Sequence, residues 1–216
     1  MGRGAGTKTH RLAAAMKTCA DLSDGTDDQI SVLVPIRSFD AAKSRLSTVL
    51  DEVGRRTLAR SMAAAVVAAA GELPVFVVTD DDEVARWAEQ SGAAVVAPAT
   101  RGLNESVQAA LAVRREAGDT RVIVAHADLP LATDLALVTG PGVAIAPDRR
   151  SDGSNVLSVP TDAGFRFNYG PGSYEAHRRE AARCRLPVTV VHDPGLSLDV
   201  DHPEDLAELH ARTVES

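Results

Sequence analysis

From Ile30 onward the chain alternates short, β-branched apolar runs with segments of helical periodicity, and this alternation restricts its fold more than any other feature. The runs are residues 30–35, 75–79, 93–97, 121–125, 143–146 and 188–192. Near-continuous apolar runs of this length suit strands buried on both faces of a parallel sheet. Between them, Leu58, Met62, Ala65, Val66 and Ala69 recur at three- and four-residue spacing until Gly71 and Pro74 end the helix. Asp81 or Asp82 is placed to cap a second helix with Val84, Trp87 and Ala88 as its buried stripe. Residues 103–117, 131–138, 173–184 and 203–213 complete the helical set. Strands alternating with helices predict an α/β fold, a doubly wound, mostly parallel sheet with helices on both faces. Residues 155–169 break the rhythm and read as a hairpin or a short antiparallel insertion.

A length of 216 residues suits one core better than two. Residues 1–29 begin with Gly, Lys, Arg and Thr and then turn acidic, so a disordered tail is expected ahead of a single domain over 30–216. Aromatics are 3% of the chain, which leaves few stacking platforms for single-stranded nucleic acid. With 23 basic and 30 acidic residues the formal charge is −7, and no overall field attracts duplex DNA or an anionic membrane. The longest apolar stretch, residues 62–70, is too short to span a bilayer. Two cysteines make neither a disulfide framework nor a zinc site, and a reducing cytoplasm is the expected compartment.

In an open parallel sheet ligands bind beyond the carboxyl ends of the strands, so the residues after each strand matter most. The first strand is followed by Arg37, Lys43 and Arg45, three cations within nine residues of an acidic protein. Lys43 suits a phosphate as a point charge and Arg45 as a planar fork; a solvated basic turn is the alternative. No P-loop and no Gly-x-Gly-x-x-Gly is present. The fourth strand ends in His126-Ala127-Asp128-Leu129-Pro130, where Asp128 either faces the ligand crevice or caps the segment after it. His126 shares that face if the strand continues, although a structural role is the commoner one for such a histidine. Near the C-terminus Asp199 and Asp201 stand two apart, on one side of an extended segment. Two adjacent carboxylates favour a cation between them, and hard oxygen ligands suit Mg²⁺. Asp201 also opens an Asp-x-x-Glu capping pattern with Pro203, so the cap is its first expected task and the metal that of Asp199. Two glycine-rich loops, residues 147–155 and 168–174, offer backbone N–H groups to an anion, the second at a helix start near Ser173. Ordinary turns are the alternative for both.

Taken in order, the motifs resemble the phospholactate/phosphoenolpyruvate guanylyltransferase family. They are Pro35-Ile36-Arg37 with Ala42-Lys43-Ser44-Arg45-Leu46, Gly102-Leu103-Asn104, Ala127-Asp128-Leu129-Pro130, Pro147-Asp148 with Gly153-Ser154-Asn155, Tyr169-Gly170-Pro171-Gly172-Ser173, and Asp199-Val200-Asp201. That family serves biosynthesis of a deazaflavin redox coenzyme, factor 420. The resemblance implies a nucleotide-diphospho-sugar transferase-like fold, GTP as substrate, Mg²⁺ as cofactor, and phosphoenolpyruvate or 2-phospho-L-lactate as the attacking phosphate. It implies that Ser154, Gly170 and Ser173 bind phosphoenolpyruvate and that Asp128, Asp199 and Asp201 hold the metal. By the same resemblance Arg37, Lys43 and Arg45 hold the GTP phosphates, Leu103 and Asn104 touch the nucleoside, and Lys43, Arg45 and Asp128 serve catalysis. Ser151 stands where the family commonly has glycine, and Ser154 where it has threonine. A 3-phosphoglycerate acceptor, a related molybdenum-cofactor or sugar-phosphate transferase, and a non-catalytic nucleotide-binding subunit are the rival expectations. A homodimer and hand-off of product to the next transferase are expected partners of the assembly.

Overall fold

The computed structural model describes residues 29–214 apart from 41, 99 and 101, so the N-terminal tail expected over residues 1–29 lies, save its last residue, outside the described residues. Gln29 is tied to the body, its carbonyl accepting the Thr120 N–H at 2.9 Å. The strands are β1 (Ile30–Pro35), β2 (Val75–Val78), β3 (Ala94–Val96), β4 (Arg121–Ala125), β5 (Val143–Pro147), β6 (Ser154–Pro160) and β7 (Val188–Val190). The helices are α1 (Glu52–Ala69), α2 (Asp82–Gln90), α3 (Leu103–Glu116), α4 (Ser173–Arg183), α5 (Pro194–Ser197) and α6 (Pro203–Val214).

The seven strands form one sheet in the order β3-β2-β1-β4-β6-β5-β7. β1 pairs in parallel with both β2 and β4, β2 with β3, and β5 with β7. β6 runs antiparallel to both of its neighbours, β4 and β5. The irregular stretch after Asn155 thus resolves into one inserted strand and a long loop. Winding reverses between β1 and β4, the switch point at which an open sheet leaves a crevice.

Alternation along β1 assigns the two layers. Val32 and Val34 pack with Ala59, Ala63 and Val66 of α1 and Val84, Trp87 and Ala88 of α2. Leu33 packs on the other face with Val107, Ala110 and Leu111 of α3, Ala181 of α4, and Phe165, Phe167 and Tyr169 of the long loop. Asp81 caps α2, accepting the Glu83 and Val84 N–H groups at 2.9 and 3.0 Å.

One expected helix is absent. Residues 131–138 hold only a single 3-10 turn, Leu135–Leu137. The buried residues there, Leu129, Ala132, Leu135 and Val138, are spaced by three rather than by the 3.6 of an α-helix. Asp134 closes the turn by accepting the Ala136 N–H at 2.8 Å. Among the described residues no helix is long and apolar enough to cross a membrane.

Candidate active site

The carboxyl ends of β1 and β4 deliver the first charged groups. After β1 the chain enters a 3-10 turn, Ser44–Leu46, whose Leu46 is fully buried against Met62 of α1 and Val200. This packing brings the residue before the turn, Lys43, to the β4 tip. Its ammonium donates to Asp128 Oδ2 at 2.7 Å and to Asp201 Oδ1 at 2.8 Å. Burial alone would lower the Lys43 pKa, but the two carboxylates outweigh it and raise it. Burial likewise opposes ionisation of Asp128, yet the charges of Lys43 and His126 hold its carboxyl below the usual range. Lys43 adopts a left-handed backbone with φ of 56°.

The third carboxylate arrives through α5, a helix the sequence reading missed. Asp193 caps it, accepting from Gly195 and Leu196 N–H at 2.9 Å each, with Pro194 at its first position. A Cβ on Gly195 would stand 2.3 Å from the Leu131 carbonyl, so only glycine lets α5 approach the β4 loop. The chain then runs past Asp128, where the Val200 N–H donates to the Asp128 carbonyl at 3.1 Å. Asp199 is pushed above the ordinary carboxylate range by burial and then by the Asp128 charge, against its own backbone N–H and a long hydrogen bond from Asn155 at 3.4 Å.

Asp201 does not serve as the helix cap assigned to it from sequence. Its carboxylate is turned to Lys43, and α6 is capped from the other side, Asp205 accepting the N–H groups of Asp201 and His202 at 3.0 and 2.7 Å. That is the returning half of a capping box, in which the acid inside the helix has the better reach.

Asp128 and Asp199, two of the expected metal ligands, offer what an oxygen-seeking divalent cation needs. Among the described residues the buried Asp128 Oδ1 has no hydrogen-bond partner, and the Asp199 carboxyl is raised by burial and then by the like charge beside it. Mg²⁺ commonly takes one or two carboxylates and fills its remaining positions with phosphate oxygens and water. Lys43 engages one oxygen of Asp128 and one of Asp201 alike, and among the described residues no three His, Cys, Asp or Glu side chains stand together as a metal cluster.

The structure separates the three cations that the sequence places together. Arg37 is exposed and lines a cleft of about 750 Å³ across the ends of β1 and β2 and the start of α3, with Thr79, Asp80 and Leu103 among its walls. Lys43 lies between its two carboxylates in an adjoining cleft lined also by Leu103, His126 and Asp128. Arg45 faces a third cleft with Arg149, Arg150, Asp199 and Asp201, and it contacts His202 Nε2 at 3.3 Å. Thr79, Asp80 and Arg149 were not singled out from the sequence; their position just past strand ends was the available signal.

Asn104 is not open to a nucleoside in the way expected of it. Its side-chain amide accepts the Tyr169 N–H at 2.6 Å and donates to the Tyr169 carbonyl at 3.1 Å. It clamps the long loop to α3, and Leu103 alone of that pair lines the clefts.

The two glycine-rich loops meet each other. Ser173 Oγ accepts the Ser154 N–H at 3.0 Å, and both residues are buried. His177 Nε2 accepts the Asn168 N–H at 3.0 Å, so its Nδ1–H donates to Ser154 Oγ at 2.9 Å and leaves the serine proton free for a ligand. Burial holds the His177 pKa down at about 4, consistent with this neutral tautomer. Gly170, with φ of 136°, is exposed.

Neither loop presents an empty cradle of N–H groups. The Arg150, Asp152 and Gly153 N–H groups all turn inward to the Asp148 carboxylate at 2.9–3.0 Å. The Asp152 carboxylate accepts the Gly172 N–H at 3.2 Å, and its carbonyl accepts that of Tyr174 at 3.0 Å. A neighbouring acid thus already occupies the electropositive start of α4.

Relatives and structural neighbours agree with this architecture. Residues 30–214 match the family described as "Guanylyl transferase CofC like". A phosphoenolpyruvate guanylyltransferase of Rubrobacter xylanophilus is 36% identical over 192 residues, 84% of this chain and 94% of its own. A 2-phospho-L-lactate guanylyltransferase of Natrialba magadii is 37% identical over 205 residues, 84% of each chain. A crystal structure from Desulfovibrio desulfuricans G20, assigned as a nucleotide-diphospho-sugar transferase, superposes with a TM-score of 0.73 at 18% identity, over 88% of this chain and 89% of that one. A nucleotidyl transferase from Methanothermobacter does so with a TM-score of 0.60 at 18% identity, over 87% and 99%. The fold is that of the nucleotide-diphospho-sugar transferases, and the chain belongs to the CofC-like guanylyl transferase family.

Proposed function

We propose that the protein is a guanylyltransferase joining GMP from GTP to phosphoenolpyruvate, with release of pyrophosphate, in biosynthesis of the deazaflavin coenzyme. The observation that carries this reading is Lys43, buried between Asp128 and Asp201 at the switch point of the sheet and beside a cleft of nucleotide size. Family membership supplies the transferred group, and the relatives named for phosphoenolpyruvate favour that acceptor.

In this reading the nucleoside occupies the large cleft near Leu103, and Arg37 and Lys43 face the phosphates, with Arg45 beside the departing pyrophosphate. The acceptor rests on Ser154, Gly170 and Ser173, and an oxygen of its phosphate attacks the α-phosphorus. The new P–O–P bond forms as the bond to the β-phosphate breaks, and pyrophosphate takes the electron pair. A phosphate nucleophile is ionised at neutral pH, so no base is required, and catalysis is positioning and charge stabilisation. Mg²⁺, for which Asp128 and Asp199 are the residues suited, supplies Lewis-acid neutralisation of phosphate charge. The absence of a cysteine framework supports a reducing, cytoplasmic setting.

The test is pyrophosphate release from GTP and Mg²⁺ with phosphoenolpyruvate, 2-phospho-L-lactate and 3-phosphoglycerate offered separately. Release is expected with phosphoenolpyruvate. Release with another acid alone replaces the acceptor, and GTP binding without release from any of them sinks the enzymatic reading.

A further inference from the structure

Every described residue that lines the cleft at Arg45 is charged or is histidine: three arginines, four aspartates and His202. Its volume of about 160 Å³ is below that of an ordinary organic-ligand pocket, so it suits a small, highly charged ion better than a nucleoside. The aspartates are already engaged. Asp148 accepts three loop N–H groups, Asp201 faces Lys43, and Asp199 is one of the two carboxylates suited to a metal. Asp205 is 3% exposed; one of its oxygens accepts the Asp201 and His202 N–H groups, and the other accepts from Arg149 Nη2.

The arginines are not engaged to the same degree. Among the described residues Arg45 has no carboxylate partner, and its guanidinium rests on the His202 ring at 3.3 Å. Arg149 has Asp205, which meets a single nitrogen of a fork with five N–H donors. The Arg149 backbone N–H donates to the Ser197 carbonyl at 2.9 Å, which fixes the start of the loop after β5 beside the segment carrying Asp199. Arg150 is exposed and leans outward to Glu204 at 3.7 Å. Two guanidinium groups sharing one cleft repel each other unless an anion lies between them.

Resting on the function proposed above, we infer that this cleft binds inorganic pyrophosphate, the leaving group, with Arg45 and Arg149 as its guanidinium donors and Asp205 as the residue that positions Arg149. Guanidinium forks match phosphate oxygens in pairs, and pyrophosphate offers oxygens on both phosphorus atoms. Arg45 stands two residues after Lys43, so the cleft begins next to the ammonium that serves the nucleotide phosphates. With no apolar residue among its described walls, it differs from the cleft near Leu103 and gives nothing for a carbon skeleton to pack on. Asp205 holds two parts of the site at once: the backbone from which Asp201 reaches Lys43, and the fork of Arg149. A fork already held by a buried carboxylate loses less freedom when it closes on an anion.

Magnesium pyrophosphate would be titrated calorimetrically into the wild type, Arg149→Met, Arg149→Lys, Asp205→Asn and the double variant Arg149→Met/Asp205→Asn. Its product-inhibition constant would be read from guanylyl transfer by the same proteins. Arg149→Met is expected to weaken pyrophosphate binding and inhibition alike by about tenfold or more, the loss of one charge-assisted contact, while the acceptor KM holds. Arg149→Lys, which keeps the charge and loses the fork, should fall between it and the wild type. Asp205→Asn keeps an oxygen for the two N–H groups and should also weaken pyrophosphate binding. In the Arg149→Met background it should cost no further affinity, because it acts through Arg149. The Arg149 variants carry the test if Asp205→Asn fails to fold. A wild type that binds no pyrophosphate, or an Arg149→Met that binds it as tightly as the wild type, overturns the inference, as does a loss confined to the acceptor KM. Arg149-dependent pyrophosphate binding by a protein silent with every phosphorylated acid upholds the site and overturns the proposed function.

Discussion

At the tips of β1 and β4, Lys43 reaches carboxylates 85 and 158 residues away in sequence. In the loop after β5, Asp148 closes on N–H groups two, four and five residues away. Both clusters are rich in charge, and the sequence marks both as anion or metal sites, yet they differ in what they leave over. The local cluster satisfies itself: three donors meet one carboxylate and the loop becomes a rigid turn. The long-range cluster does not. Among the described residues it leaves Asp128 Oδ1 without a partner and Asp199 raised by burial and by a neighbouring like charge. Residual demand for a cation or a donor, rather than charge density, separates a binding centre from a well-made loop.

The comparison breaks most sharply at Asp199. Asp199→Asn should cut guanylyl transfer about 10²–10³-fold, the scale of losing one electrostatic stabiliser of a transition state. The same change removes a carboxylate that burial and Asp128 both disfavour, so the melting temperature without ligands should rise. Turnover assays paired with thermal unfolding check both signs. A variant that keeps full activity or melts lower would place Asp199 with the self-satisfied residues.

His177 lies between the two cases, joined to Ser154 and Asn168 and buried without charge. Its folded pKa of about 4 lies below the ordinary 6.5, so the unfolded chain binds the proton more readily. The stability it confers is complete above pH 6.5 and is lost as pH falls toward 4, by about 3 kcal/mol. Denaturant titrations from pH 7 to 4.5 should show this slope, and His177→Gln should flatten it. Equal slopes in the two proteins would contradict the assignment of a neutral, buried imidazole.

How much of this was legible in the sequence follows the same division between local and distant. The β-branched runs gave six strands because burial on both faces of a parallel sheet writes itself into short windows. The inserted strand β6 was legible only as a hairpin or an antiparallel insertion, since its pairing depends on β4 and β5 rather than on its own pattern. Spacing by three disguised the turn at Leu135 as a helix, and α5, only four residues long, carries too little periodicity to detect. Within the site, residue types pointed to Lys43, Asp128 and Asp199. What they could not reveal was partnership: that Asp201 takes Lys43 instead of the helix, that Asn104 clamps Tyr169, and that Arg45 turns away from Lys43.

The local cluster can be tested directly. Asp148→Ala strips one acceptor from three N–H groups, two of them exposed, and should cost about 2 kcal/mol because water replaces part of what is lost. Transfer activity at a temperature where the variant is folded should fall much less than in Asp199→Asn. Denaturant midpoints and turnover measured on one preparation decide this. An activity loss as large as that of Asp199→Asn would make the loop part of the chemistry.

The smallest effect sharpens the comparison furthest, because one backbone conformation occurs in both clusters. Ser151, within the Asp148 loop, has φ of 55°, and Lys43 has φ of 56°. A side chain in this left-handed region costs about 1 kcal/mol relative to glycine, partly offset by the greater freedom of glycine in the unfolded chain. Ser151→Gly should therefore stabilise by about 0.5 kcal/mol, read as a higher denaturant midpoint at unchanged slope, with turnover intact. Lys43→Gly relieves the same backbone strain yet deletes the ammonium between Asp128 and Asp201, so it should lose both stability and turnover. Strain that glycine can relieve without loss belongs to the loop's geometry. At Lys43 the fold tolerates an unfavourable φ because the side chain it carries is the one the site requires.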